Sequence, residues 1–191
     1  NLMRFLRLNP AIIKKFPIRC GGRTFFVVGQ LEPTLRQLRK RFAVASMMQV
    51  HGWKLAEVSQ RRSRVYPADA LYTARPGVFL AVRSADCLPI TFFSPEVGVV
   101  GVVHAGWRGT VKKILKKTVA TVAKKFKISP RDFYFYFGPA ARSCCYDIPL
   151  GDQRLRLFSR QFLKKRHGKI FLDFASANRQ QLLRLGVPRS H

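Results

Sequence analysis

Acidic side chains are scarce in this chain: nine Asp and Glu stand against 36 Lys and Arg, a formal net charge of +27. That imbalance attracts polyanions through its long-range field and through counterion release. The devices that turn attraction into sequence recognition are missing, since there is no finger spacing, recognition helix or exposed aromatic platform. The aromatic run Phe133-Tyr134-Phe135-Tyr136-Phe137, followed by Gly138-Pro139, reads as a core strand instead. Non-specific polyanion binding is the expectation, with specific nucleic-acid recognition kept as the minor alternative. No apolar run reaches the roughly 18 residues of a membrane span. The opening Asn1-Leu2-Met3-Arg4-Phe5-Leu6-Arg7-Leu8 lacks the apolar middle and small-residue cleavage signal of a secretory leader, so a cytoplasmic protein away from membranes is expected. Cysteines number four, and a bond between the adjacent Cys144 and Cys145 would strain the intervening peptide. A disulfide scaffold is not expected, and the thiols read as reduced and free for metal or packing.

What is present suits a packed core. With 191 residues and 47% hydrophobic side chains, one domain over residues 1–191 is expected. Pro33 to Phe42 opens with proline and carries apolar residues at 35, 38 and 42, as a short amphipathic helix does. A strand follows from Val44 to Val50 and ends at His51-Gly52, with Leu55 to Val58 pairing back. Ala70 to Thr73 and Val78 to Val82 flank the turn Arg75-Pro76-Gly77. Leu88 to Phe93 and Val97 to Val103 flank Ser94-Pro95-Glu96, and such near-continuous apolar runs belong at a sheet centre. A helix capped by Thr110 carries apolar residues at 111, 114, 115, 119, 122 and 126 and lysines on its other face. Later helices are expected from Asp152 to Lys165 and from Ala175 to Leu185, the second stopped by Gly186 and Pro188. Cys144 and Cys145 read as core, with one of them lining the cavity as the alternative, and His167 and His191 read as exposed.

Three short segments carry the chemistry: Gln49-Val50-His51-Gly52, Ser84-Ala85-Asp86-Cys87 and His104-Ala105-Gly106-Trp107-Arg108-Gly109. Each sets an imidazole or a thiol beside a small residue at the edge of an apolar run. Cys87 stands just before one central strand and His104 just after the next. If those strands are antiparallel neighbours, the start of the first lies beside the end of the second and the two side chains meet. Two histidines and one cysteine leave one tetrahedral position of a zinc ion open, as catalytic sites do. The helix beginning near Arg108 adds free backbone N–H groups, a seat for phosphate.

With Gly138-Pro139 and Cys144-Cys145-Tyr146-Asp147 added, these segments make the chain resemble the YfiH/LACC1 family of laccase-domain polyphenol oxidases and purine nucleoside phosphorylases. The similarity runs from about Met47 to Pro188. It implies an α+β fold of mixed β-sheets layered with helices, shared with certain cysteine-dependent toxin deamidases. It also implies that His51, Cys87 and His104 hold the metal, usually zinc, with copper as the other candidate. Purine nucleosides and phosphate are the implied substrates: phosphorolysis of adenosine, inosine, guanosine and methylthioadenosine, and deamination of adenosine. The family continues past Gly186-Val187-Pro188, whereas this chain stops at His191.

Chemistry then suggests roles. Asp86 is the carboxylate nearest in sequence for moving a proton during attack on C6 of adenosine, while Arg108 and Arg83 are the cations for clamping phosphate. A copper polyphenol oxidase would use the same ligands, although four histidines are few for several coppers. A metal-free hydrolase would use Cys87 as nucleophile and His104 as base. A basic nucleic-acid binder is the non-enzymatic alternative.

Overall fold

In β6 (Ala70–Thr73) all four residues are buried, so both faces of the strand are covered. In this computed structural model, which describes residues 13–15, 26–28, 39–40 and 42–191, that two-sided burial organises the protein. Ala70 and Tyr72 point into one apolar cluster and Leu71 into another. Their partners on β9 (Val99–Ala105) alternate in step, Val103 on the first face and Val102 on the second.

The sheet that contains them has the order β10–β8–β9–β6–β4, with β4 at Leu55–Glu57, β8 at Leu88–Ser94 and β10 at Tyr134–Phe137. On one face lies the helix α2 (Ile114–Phe126), which buries Ile114, Leu115, Val119 and Val122 while lysines occupy its solvent side. The other face carries a three-stranded, wholly parallel sheet of β3 (Ala43–Met47) between β5 (Arg64–Tyr66) and β7 (Val78–Ala81). A third sheet joins β11 (Asp147–Ile148), β13 (Lys169–Leu172) and β12 (Leu163–Arg166), next to the helix α4 (Phe174–Leu183). A two-stranded antiparallel sheet pairs β1 (Ile13–Lys15) with β2 (Phe26–Val28). The architecture is α+β, mixed sheets with helices, as expected.

The β8–β9 hairpin forms as the apolar runs predict, through the turn Pro95–Gly98. Phe92 stands opposite Gly101, and a methyl group there would lie 2.0 Å from the Phe92 ring, so only glycine lets the ring cross the strand. The aromatic run is indeed a strand, β10, paired along β8.

Several expectations need correction. Leu55–Glu57 does not pair back on the Val44 strand, because both edges of β3 are taken by β5 and β7; it pairs in parallel with β6. The strand from Val44 stops at Met47 rather than Val50. The turn at Arg75-Pro76-Gly77 is flanked by two strands as expected, and it carries the chain from one sheet to another.

The helix expected from Thr110 is two helices, α1 (Trp107–Val111) and α2, broken at Lys113, whose φ of 59° is left-handed. Thr110 is therefore a buried residue of α1 and not a cap; its hydroxyl accepts from Asn178 Nδ2 at 3.0 Å.

Of the helix expected over Asp152 to Lys165, only α3 (Arg154–Leu157) and a single 3₁₀ turn remain before β12. His167 and Gly168, both with positive φ, make the two-residue loop that folds β12 onto β13. The helix expected over Pro33 to Phe42 lies outside the described residues except for Arg39, Lys40 and Phe42. Among the described residues, no helix is long and apolar enough to cross a membrane.

Candidate metal centre

The hairpin register sets Leu88 opposite Ala105 and Pro89 opposite His104, which brings Cys87 to the end of β9. His104 lies inside β9 rather than after it, and is 3% exposed. His51 arrives from the loop between β3 and β4, in a left-handed backbone conformation with φ of 57°. The ligand atoms of His51, Cys87 and His104 all lie within 4.8 Å of one another, and the two imidazole rings meet edge to face at 4.9 Å.

One buried carboxylate holds this arrangement. Asp69, fully buried just before β6, accepts the His51 N–H at 2.9 Å and the Gly52 N–H at 2.8 Å. It also pairs with His104 Nδ1 at 3.1 Å, and its own carbonyl accepts the His104 backbone N–H at 2.8 Å. With Nδ1 engaged by the carboxylate, Nε2 is the His104 nitrogen left for a ligand. The two N–H bonds fix the unusual backbone of His51, which a non-glycine residue adopts only when its surroundings enforce it.

Gln49 ties the third segment in. Its amide donates to the Arg83 carbonyl at 2.7 Å and accepts the Arg83 N–H at 2.8 Å, lacing the His51 loop to the loop that leads to Cys87. Gly106 seats the thiol: a methyl group there would meet Cys87 Sγ at 2.8 Å and His51 Cδ2 at 3.4 Å.

Burial pushes the Cys87 thiol up, with the Asp86 and Asp69 carboxylates adding to the effect. Burial also pushes His104 down, more than its bond to Asp69 raises it, which favours the neutral ring that can donate a lone pair. Borderline nitrogen and soft sulfur donors in this number suit zinc or copper rather than a hard cation. The residues present fit such an ion.

The other candidate residues are more loosely placed. Asp86 is exposed, and its backbone carbonyl accepts the Ala141 N–H at 3.0 Å. Arg83 is exposed and engaged through its backbone with Gln49. Arg108 is exposed on α1, its guanidinium over the Trp107 ring at 4.3 Å. Cys144 and Cys145 are exposed, not core, because the turn that carries them faces outward. Asp69 is the residue that sequence reasoning missed, while Gln49 was singled out only as part of its segment, without this role. The signal for Asp69 was a lone carboxylate at the entry to an apolar strand, where a buried charge needs partners.

Residues 30–191 match the family described as multi-copper polyphenol oxidoreductase laccase. The chain is 39% identical over 158 residues to "Purine nucleoside phosphorylase YlmD" of Geobacillus stearothermophilus, covering 75% of this chain and 58% of that protein. It is 29% identical over 147 residues to "Adenosine deaminase RL5" of an unknown prokaryotic organism, covering 73% of this chain and 55% of that one. The crystal structure of YlmD from Geobacillus stearothermophilus superposes with a TM-score of 0.72 at 34% identity, over 83% of this chain and 66% of that chain. The chain spans a little over half the length of these curated relatives.

Proposed function

The chain belongs to the family of multi-copper polyphenol oxidoreductase laccases, and on that premise we propose that it is a zinc-dependent enzyme acting on purine nucleosides. Its reactions are phosphorolysis of adenosine, inosine, guanosine and methylthioadenosine, and deamination of adenosine. The names of two relatives, one a purine nucleoside phosphorylase and one an adenosine deaminase, support this reading. The observation that carries it is the convergence of His51, Cys87 and His104, three donors from three separate segments, within 4.8 Å.

These three side chains would hold the ion. When bound, zinc supplies a Lewis acid that lowers the pKa of water toward neutrality and polarises an oxygen. His104 offers Nε2 because Asp69 keeps Nδ1 engaged, and Cys87 releases its proton on ligation. In phosphorolysis the bond from the anomeric carbon to the base nitrogen breaks and a phosphate oxygen takes its place. Arg108, with a planar fork that matches phosphate oxygens, is the cation assigned to hold the anion, and Arg83 is the second. Asp86 is assigned the proton transfer, and its exposure leaves it able to exchange that proton with water. The surrounding positive charge of the chain favours entry of phosphate.

The test combines metal analysis of the purified chain with adenosine and inosine turnover, with and without phosphate. Bound zinc with phosphate-dependent release of base is the expected result. Cys87→Ala and His104→Ala each abolish turnover while circular dichroism stays native; full activity in either variant removes the assignment. Retained copper with phenol oxidation and no nucleoside turnover would favour the oxidase instead.

A further inference from the structure

Outside the three-donor group, the turn after Gly138-Pro139 presents two adjacent thiols to solvent. Cys144 Sγ lies 3.3 Å from Cys145 Sγ, and both residues are exposed. The turn is anchored at both ends. Ala141 N–H bonds the Asp86 carbonyl at 3.0 Å, while the Cys145 and Tyr146 N–H groups both bond the Arg142 carbonyl, at 2.9 and 2.8 Å. Tyr146 then packs on Phe174 with ring centroids 4.5 Å apart, and the Arg166 guanidinium donates to the Ser143 carbonyl. Two sulfurs on so firmly held a turn lose little freedom when a single ligand bridges them.

We propose that Cys144 and Cys145 form a second, thiol-only site that captures one soft, thiophilic ion through both sulfurs. This inference does not depend on the purine reading.

Four arguments support it. Sulfurs bonded tetrahedrally to an ion at ~2.3 Å sit roughly 3.8 Å apart, so the observed spacing needs to open by only about half an ångström. Thiolate is the form that binds metal, and the Arg142 N–H, donating to Cys145 Sγ at 3.4 Å, together with the Cys144 thiol, holds the Cys145 thiol below its ordinary range. The competing fate, a disulfide within the pair, is disfavoured: adjacent Cα atoms are fixed at ~3.8 Å by a trans peptide, short of the ~4.4 Å minimum for an ordinary disulfide. The high positive charge of the chain disfavours hard cations held by charge alone, which leaves soft ions held by strong bonds to sulfur.

The test uses the full chain carrying Cys20→Ser and Cys87→Ser, so that the pair supplies the sulfurs, titrated with cadmium and followed by thiolate-to-metal charge-transfer absorbance. One equivalent is expected to bind, and adding Cys144→Ser or Cys145→Ser is expected to weaken binding at least tenfold. Unchanged affinity in the single-serine additions, or no charge-transfer band, overturns the proposal.

A second measurement leaves all four cysteines in place. Phenylarsine oxide condenses with two thiols, forming two As–S bonds and releasing one water. Peptide mapping should find a single adduct bridging Cys144 and Cys145; an adduct confined to Cys87, or none, refutes the pair.

Discussion

Replacing Asp69 by Asn tests whether the carboxylate, rather than the three donors alone, builds the centre. Asparagine keeps the shape but replaces one acceptor oxygen by an NH₂ donor. In the protein, Oδ1 serves both the His51 N–H and His104 Nδ1, and Oδ2 serves the Gly52 N–H. With the amide oxygen facing His51 and His104, the NH₂ group meets the Gly52 N–H, donor against donor; turned over, it meets the other two. At least one buried bond is lost in either orientation, at a cost of about 1–3 kcal/mol. The His104 ring, moreover, either keeps only a neutral amide oxygen in place of the carboxylate or faces an NH₂ donor, and weakening that partner is worth roughly 10–100-fold in metal affinity. Zinc competition against a chelator and urea denaturation of the metal-free protein read the two effects separately. Asp69→Asn should lower both affinity and stability. Unchanged zinc affinity would show that His104 and His51 hold their positions without the carboxylate, and would refute the reasoning.

Two further outcomes follow from packing and charge. Gly101→Ala drives a methyl group into the Phe92 ring and should destabilise the protein by about 1–3 kcal/mol, seen as a lower urea midpoint; a neutral result would show that the ring can leave its place across the strand. Asp152 is held at about 2 by the Arg154 side chain, which also bonds Tyr146 Oη, so the folded value lies below the ordinary carboxylate range near ~3.9. Its stabilising contribution is therefore present above pH ~4 and lost as pH falls toward 2. Carbon NMR of the Asp152 carboxyl should give a midpoint near 2, and a midpoint near 4 would contradict the pairing.

The parts of the fold written in local pattern were legible. Apolar runs broken by Ser94-Pro95-Glu96 predicted the β8–β9 hairpin, and that pairing alone brought Cys87 to His104. What needed distant partners was not legible. Nothing in Leu55 to Val58 says that β3 is already flanked by two parallel strands, so its pairing with β6 could not be read from the segment.

The break at Lys113 is hidden because the apolar positions 111, 114 and 115 keep helical spacing across it, while the left-handed residue is a lysine without a glycine signal. The strand β12 was masked by its basic Lys164-Lys165-Arg166, although the His167-Gly168 pair was an available turn signal. At the centre itself the three donors were visible from their small-residue neighbours. The proton and phosphate roles were assigned by nearness in sequence. That criterion selected Asp86, which is exposed, and passed over Asp69, which lies 35 residues from His104 along the chain and beside it in space.

Anomalous diffraction at the zinc edge, from crystals of the chain grown with zinc, tests the central claim most directly. The account predicts a peak within bonding distance of a His51 ring nitrogen, Cys87 Sγ and His104 Nε2. A peak that leaves out any one of those three atoms, or no peak among them, would contradict it.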